Sequence, residues 1–85
     1  MKTIWKFHLQ TRSMINLPAN AKPLAVQVQD GDINLWVELD PAAPTVVRKF
    51  TLYGTGHSLP DNPGTYIGTV QYQQGLYVYH VYEDA

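Results

Sequence analysis

The chain contains no cysteine among its 85 residues, and only 15% of the residues are charged. The absence of cysteine excludes disulfide bonds and thiolate zinc sites, and it favours a reducing compartment. Six basic residues nearly balance seven acidic ones, which leaves a net charge of −1. Duplex nucleic-acid binders usually carry a basic surplus on one face, so we expect no such partner.

Long apolar runs and helical periodicity are also missing. No stretch is long enough to cross a membrane, and the opening residues, MKTIWKFHLQ, lack the apolar core of a signal peptide. We therefore expect no membrane partner. The length predicts one domain that spans residues 1–85.

What the chain has instead is a period-two alternation of apolar and polar residues, which is typical of β-strands. The predicted strands cover residues 3–9, 13–17, 24–29, 33–39, 45–53, 65–72 and 76–82. Asp30-Gly31-Asp32 forms the tight turn of one hairpin, and Gln73-Gln74-Gly75 forms the turn of another. The sequence therefore predicts an all-β fold, a small single-domain antiparallel meander of about six or seven strands in a curled sheet or small barrel.

The segment Gly54-Thr55-Gly56-His57 ends one predicted strand and opens a loop that reaches Gly64. Glycines allow a close backbone approach, consecutive amides can form an anion-binding nest, and Thr55 and His57 add polar side chains. Because a proline-rich loop and a strand follow, neither the P-loop nor the dinucleotide fingerprint applies. Two interpretations remain: a strand end with a glycine bulge and turn, or a loop that contacts a ligand.

Aromatic side chains and arginine supply the second set of candidates. Six tyrosines and two tryptophans accompany few charges, so we expect part of this surface in an interface or a pocket. Trp36 lies on the polar face of the first hairpin, Arg48 suits phosphate or stacking contacts, and Tyr66 directly follows the loop. The alternative is a homo-oligomer interface made by Trp36 and a band of four tyrosines, namely Tyr72, Tyr77, Tyr79 and Tyr82.

Metal and catalytic sites are not predicted. The histidines His8, His57 and His80 lack the short spacing of zinc ligands, and His80 is expected on a sheet face with its ring nitrogens bonded locally. Ser58 directly follows His57, and adjacent side chains in an extended chain point apart, which makes a poor nucleophile and base. We therefore expect no enzyme, no metal and no cofactor.

Five stretches stand out along the chain, namely KTIWKF, VQVQDGDINLW, RKFTLYGTGH, YIGTVQ and YHVYE. Together they resemble a family of small proteins of unknown function encoded by bacteriophages and prophages, and the resemblance covers almost the whole chain. It implies a free-standing phage protein in the host bacterial cytoplasm, and it implies no catalytic residue. Phage proteins of this size are often accessory factors that counter host immunity, and some sequester nucleotide-derived signals inside an oligomer.

We therefore expect a non-enzymatic binding module, an anti-defence sponge that oligomerises and sequesters a small nucleotide-derived immune signal. Its predicted ligand contacts are Trp36, Arg48, Gly54, Thr55, Gly56, His57 and Tyr66. The alternatives are a protein-interaction factor that inhibits a host defence or replication protein through an aromatic surface, and a minor virion component. A sponge requires the loop and Arg48 to meet in one concavity, whereas an interaction factor requires a flat exposed aromatic patch that lies far from the loop.

Overall fold

The computed structural model describes residues 1–85 and contains seven β-strands. They are β1 (Thr3–His8), β2 (Arg12–Pro18), β3 (Lys22–Gln29), β4 (Asp32–Leu39), β5 (Thr45–Gly54), β6 (Thr65–Tyr72) and β7 (Tyr77–Glu83). The predicted all-β, antiparallel fold is confirmed, and nearly every strand bound lies close to the predicted one. None of the elements is a helix with the length and hydropathy that a membrane span requires.

The strands form two open sheets. Sheet A has the order β1-β4-β3, and sheet B has the order β2-β5-β7-β6. Every pair is antiparallel, yet β1 with β4, β2 with β5 and β5 with β7 are not consecutive in the chain. The architecture is therefore a two-layer arrangement rather than a continuous meander or a closed barrel.

Buried apolar side chains from both sheets form one core. In β4 the core side chains alternate with outward ones, as period two requires. They are Ile33, Leu35, Val37 and Leu39. Phe50 of β5 and Val81 of β7 are 1% and 0% exposed and contribute from sheet B. Complete burial of one such side chain contributes about 1.5–3 kcal/mol, so this core holds the two sheets together. We call the face of sheet B that carries Phe50 and Val81 its inner face, and the opposite one its outer face.

The connection between β5 and β6 crosses along sheet B and is not a hairpin. Both strands run antiparallel to β7, so they point in the same direction. Gly54 ends β5 beside Tyr79, whereas Thr65 begins β6 beside Glu83. The loop must therefore carry the chain back along β7, which accounts for its length. At its end Gly64 has a φ of +100° and lies against the backbone oxygen of Glu83, where a Cβ atom would clash.

Candidate functional site

The residues predicted to contact a ligand do not meet in one concavity. Trp36 is half-buried on the side of sheet A that faces away from the core. Arg48 and Tyr66 line a hollow of about 530 Å³. Gly54, Thr55 and His57 line a different hollow, of about 300 Å³. The geometric condition for a nucleotide sponge is therefore not met within one chain.

Arg48 is tied into the fold by its hydrogen bonds. Its Nε donates to Glu83 Oε2 at 2.6 Å, and its Nη2 donates to Oε1 at 2.7 Å. Its Nη1 donates to the backbone oxygens of Pro18 and Ala21 at 3.1 and 2.6 Å. The bonds to Glu83 raise the pKa of Arg48 above its usual value, although burial opposes this shift. A guanidinium has five N–H groups, so only one is left for a ligand.

The Gly54-Thr55-Gly56-His57 segment forms a tight turn. His57 N donates to Gly54 O at 3.0 Å, and Gly56 has a φ of +85°, which suits the third position of a type II turn. Thr55 N donates to Val78 O at 3.1 Å, so the segment keeps no row of free amides for an anion nest. The His57 ring occupies the space beside Gly54, with Nδ1 2.7 Å from where a Cβ atom would lie. The turn explains Gly56, because its φ is positive, and the His57 ring explains Gly54, because it leaves no space for a side chain there.

Four side chains on the outer face of sheet B form one continuous hydrogen-bonded chain. Tyr66 Oη lies 2.6 Å from Thr69 Oγ1, and Thr69 Oγ1 lies 2.9 Å from His80 Nδ1. On the other side of the ring, His80 Nε2 lies 2.7 Å from Thr55 Oγ1. We call Thr55, Tyr66, Thr69 and His80 the hydroxyl–imidazole network. It joins two predicted site residues, Thr55 and Tyr66, through two that were not predicted as contacts.

A β-bulge in β6 brings Tyr66 and Thr69 to the same face. In a regular strand, residues three positions apart point to opposite faces. Tyr66 pairs with Tyr82 and Gly68 pairs with Val81, so two residues of β6, Ile67 and Gly68, stand opposite one of β7. The following residue, Thr69, then lies opposite His80 on the outer face. The bulge therefore creates the network.

A neutral His80 satisfies all these bonds in one arrangement. Tyr66 donates to Thr69, Thr69 donates to Nδ1, and Nε2–H donates to Thr55, whose hydroxyl points to Val78 O at 3.5 Å. The Tyr66 oxygen then keeps lone pairs for an outside donor. In the other tautomer, Nδ1–H donates to Thr69, Thr69 can donate to Tyr66, and the Tyr66 hydrogen can then point outward.

Aromatic rings border the network. Tyr82 packs edge-to-face against Tyr53, with ring centroids 5.7 Å apart, and against Tyr66, with centroids 5.5 Å apart. The strand residues next to His80 are uncharged, namely Tyr53, Thr69, Val78 and Tyr82. The predicted tyrosine band does not form a single surface. Tyr82 lies on the outer face, whereas three tyrosines contact each other on the inner face: Tyr72, Tyr77 and Tyr79.

Thr69 and His80 were missed as contacts because the sequence does not reveal the register between β6 and β7. The expectation that His80 lies on a sheet face with locally bonded nitrogens is confirmed. The available signal was that both residues lie in stretches that carry the resemblance, YIGTVQ and YHVYE. Those stretches flank a predicted hairpin, which places them on neighbouring strands.

No curated protein and no solved structure matches the chain. A family model does match, and it covers residues 1–85, from the first strand to the last residue. The chain therefore belongs to the family described as Domain of unknown function (DUF7352).

Proposed function

We propose that this protein is a non-enzymatic protein-binding module whose binding face is the outer face of sheet B around the hydroxyl–imidazole network. The observation that supports this best is an uncharged, tyrosine-bordered patch at the surface, in which Tyr66 is 54% exposed. Protein interfaces are enriched in tyrosine and depleted of lysine and carboxylates at their centres. A hydroxyl that can either accept or donate adds polar recognition to this surface.

The shape of the patch favours a protein over a small ligand. Small-molecule sites usually bury about 70–90% of the ligand surface in a concavity. None of the hollows on the surface is lined by His80, the centre of the network. The shape therefore favours the interaction factor over the nucleotide sponge. The patch does not lie far from the loop, as that alternative expected, because Thr55 belongs to both.

Nucleotide binding is a second candidate, and one hollow favours it. Thr55 and His57 share that hollow with Tyr77 and Tyr79, whose rings are stacked with centroids 6.2 Å apart. A planar base could stack on such rings. Thermal-shift screening against cyclic nucleotides and ADP-ribose derivatives tests this candidate. A ligand at 100 times its Kd should add about 2.7 kcal/mol of stability, and an unmoved transition would reject nucleotide binding.

We propose no catalytic role for Thr69 and His80. Thr69 Oγ1 lies 2.9 Å from His80 Nδ1, which resembles the distance between a nucleophile and its base. No carboxylate contacts His80, because Thr55 occupies its second nitrogen. Thr69 is also bonded to Tyr66. Incubation with ester and phosphoester substrates should leave them unchanged, and turnover that Thr69→Val abolishes would refute this part of the proposal.

The biological setting of the proposal rests on the resemblance of the five stretches. We propose a bacteriophage accessory protein that acts in the bacterial cytoplasm and inhibits a host defence or replication protein. Expression in bacteria that carry defence systems should raise the plating efficiency of a sensitive phage. Thr69→Val should abolish this effect while the protein still accumulates. If the wild type and Thr69→Val raise the plating efficiency equally, the effect does not depend on the proposed binding face.

Site-specific photocrosslinking tests the binding face itself. A benzoylphenylalanine at Gln71 lies on the outer face of sheet B next to Thr69 and leaves the network intact, whereas one at Gln27 lies on the outward side of sheet A. We expect a defined cross-linked partner from position 71 and none from position 27. Thr69→Val should reduce the yield at position 71. The same partner captured equally from both positions, or only from position 27, would contradict the proposal.

A further inference from the structure

We propose that β1 is the interface for a second copy of this chain, through antiparallel pairing of the two β1 strands about a two-fold axis at Trp5. β1 is an edge strand, since β4 is its one neighbour. The pairing would join the two copies of sheet A into one continuous sheet. This inference does not depend on the proposed function, which concerns sheet B.

The backbone of β1 has a free row of hydrogen-bonding groups. Leu9 N donates to Ile33 O at 2.8 Å, which makes this facing pair a hydrogen-bonded one. Because hydrogen-bonded pairs alternate along an antiparallel ladder, Phe7, Trp5 and Thr3 also direct their backbone groups to β4. The backbone groups of Ile4, Lys6 and His8 therefore point away from the sheet, where a further strand can bind them.

The other edge strands are blocked or polar. β3 contains Pro23 followed by a bulge, and β6 contains the bulge at Ile67 and packs against β3. β2 ends in Pro18, and its outward backbone groups belong to Arg12, Met14 and Asn16. β1 has neither proline nor bulge. It also exposes two neighbouring large side chains, with Ile4 55% and Trp5 48% exposed. Natural edge strands usually avoid this combination unless they pair.

Charge disfavours the two registers that neighbour the proposed one. A two-fold axis at Lys6 would place the two Lys6 side chains directly opposite each other, and an axis at Ile4 would place Lys2 opposite Lys6. Like charges in such positions are destabilising. An axis at Trp5 places Ile4 opposite Lys6 of the second copy and still pairs their outward backbone groups. It also places the two Trp5 side chains at the axis, in a pair without hydrogen bonds, where side chains come closest.

Single-cysteine variants test this geometry, because the chain contains no cysteine of its own. Under mild oxidation, Trp5→Cys should form a disulfide-linked dimer. Met14→Cys on β2 is the matched control and should stay monomeric. An equal mixture of Ile4→Cys and Lys6→Cys should cross-link several times more than either variant alone. A monomeric Trp5→Cys together with an unreactive mixture, or efficient cross-linking through Met14→Cys, would overturn the proposal.

Charge variants at the exposed residue Ile4 test the same pairing and leave Trp5 in place. Ile4→Glu should tighten the dimer because it places a carboxylate opposite Lys6 of the second copy, and Ile4→Lys should weaken it. Both lose the same apolar side chain, so we expect Kd values that differ by roughly tenfold or more in sedimentation equilibrium. The double variant with Ile4→Lys and Lys6→Glu should recover the tighter value. Equal Kd values for the two single variants, or a wild-type chain that stays monomeric at millimolar concentration, would refute the register or the dimer.

Discussion

Sheet B carries two polar clusters, one on each face, and they are held in different ways. On the inner face, Arg48 and Glu83 are 13% and 21% exposed and bridge β5, β7 and the turn after β2. On the outer face, the hydroxyl–imidazole network consists of uncharged groups at the surface. The inner cluster uses nearly all its donors internally, so it holds the fold. The outer one ends in an exposed Tyr66 hydroxyl, so it has capacity for a partner.

Removal of the Arg48 guanidinium should have the largest effect on stability. Arg48→Met leaves the Glu83 carboxylate half-buried without its partner and frees two backbone oxygens, which should lower the free energy of unfolding by about 3–5 kcal/mol. Urea unfolding followed by tryptophan fluorescence measures the change. The double variant with Arg48→Met and Glu83→Leu should recover part of the loss, because no unpaired charge is left. A loss below about 1 kcal/mol in Arg48→Met would mean that the ion pair does not hold the fold.

The contact at the end of the crossover loop comes next. Gly64→Ala adds a Cβ atom against the Glu83 backbone and imposes strain at a φ of +100°, so we expect a loss of about 2–3 kcal/mol. Gly31→Ala is the matched control, because Gly31 has a φ of +80° and nothing within 4 Å of an added Cβ. It carries the backbone strain alone. Equal melting temperatures for the two variants would show that the loop does not press on β7.

The outer network should contribute less to stability and more to binding. Thr69→Val keeps the shape of the side chain but removes the hydroxyl between Tyr66 and His80, which should lower the free energy of unfolding by about 0.5–1.5 kcal/mol. Thr69→Ser retains the hydroxyl and should preserve cross-linking through position 71. If Thr69→Val binds the partner as well as Thr69→Ser does, the network is not part of the binding face.

His57 should have the smallest effect of the four. Its ring is exposed, and its backbone amide rather than its side chain closes the turn. His57→Ala should therefore change the free energy of unfolding by less than about 0.5 kcal/mol. It should also leave cross-linking through position 71 unchanged. Loss of nucleotide binding in this variant, if a nucleotide binds, would instead assign His57 to the second candidate function.

The fold was largely predictable because alternation is a local signal. The hairpin of β3 and β4 follows directly from the inward residues of β4 and the turn at Gly31. Strand order was not predictable, since β5 pairs with β2 and β7 through contacts between residues far apart in the chain. The crossover of residues 55–64 depends on that order. The number of residues in a loop does not by itself distinguish a crossover from a hairpin connection.

The site was predictable only in part, for a different physical reason. The sequence indicates Thr55 and Tyr66 through their position at the loop, and the structure links them through Thr69 and His80. The bulge at Ile67 that aligns them has no clear sequence signature. The sequence indicates Arg48 through the chemistry of its side chain. It does not show that the guanidinium donates its hydrogen bonds to Glu83, because that residue lies 35 positions away in the chain.

The contrast between the two clusters is tested most directly by the free energies of unfolding of Arg48→Met and Thr69→Val, measured side by side in urea. Arg48→Met should lose at least about 1.5 kcal/mol more than Thr69→Val, because one leaves a charge without its partner and the other removes a hydroxyl at the surface. Equal losses, or a larger loss in Thr69→Val, would contradict the assignment of the inner cluster to the fold and of the outer network to binding.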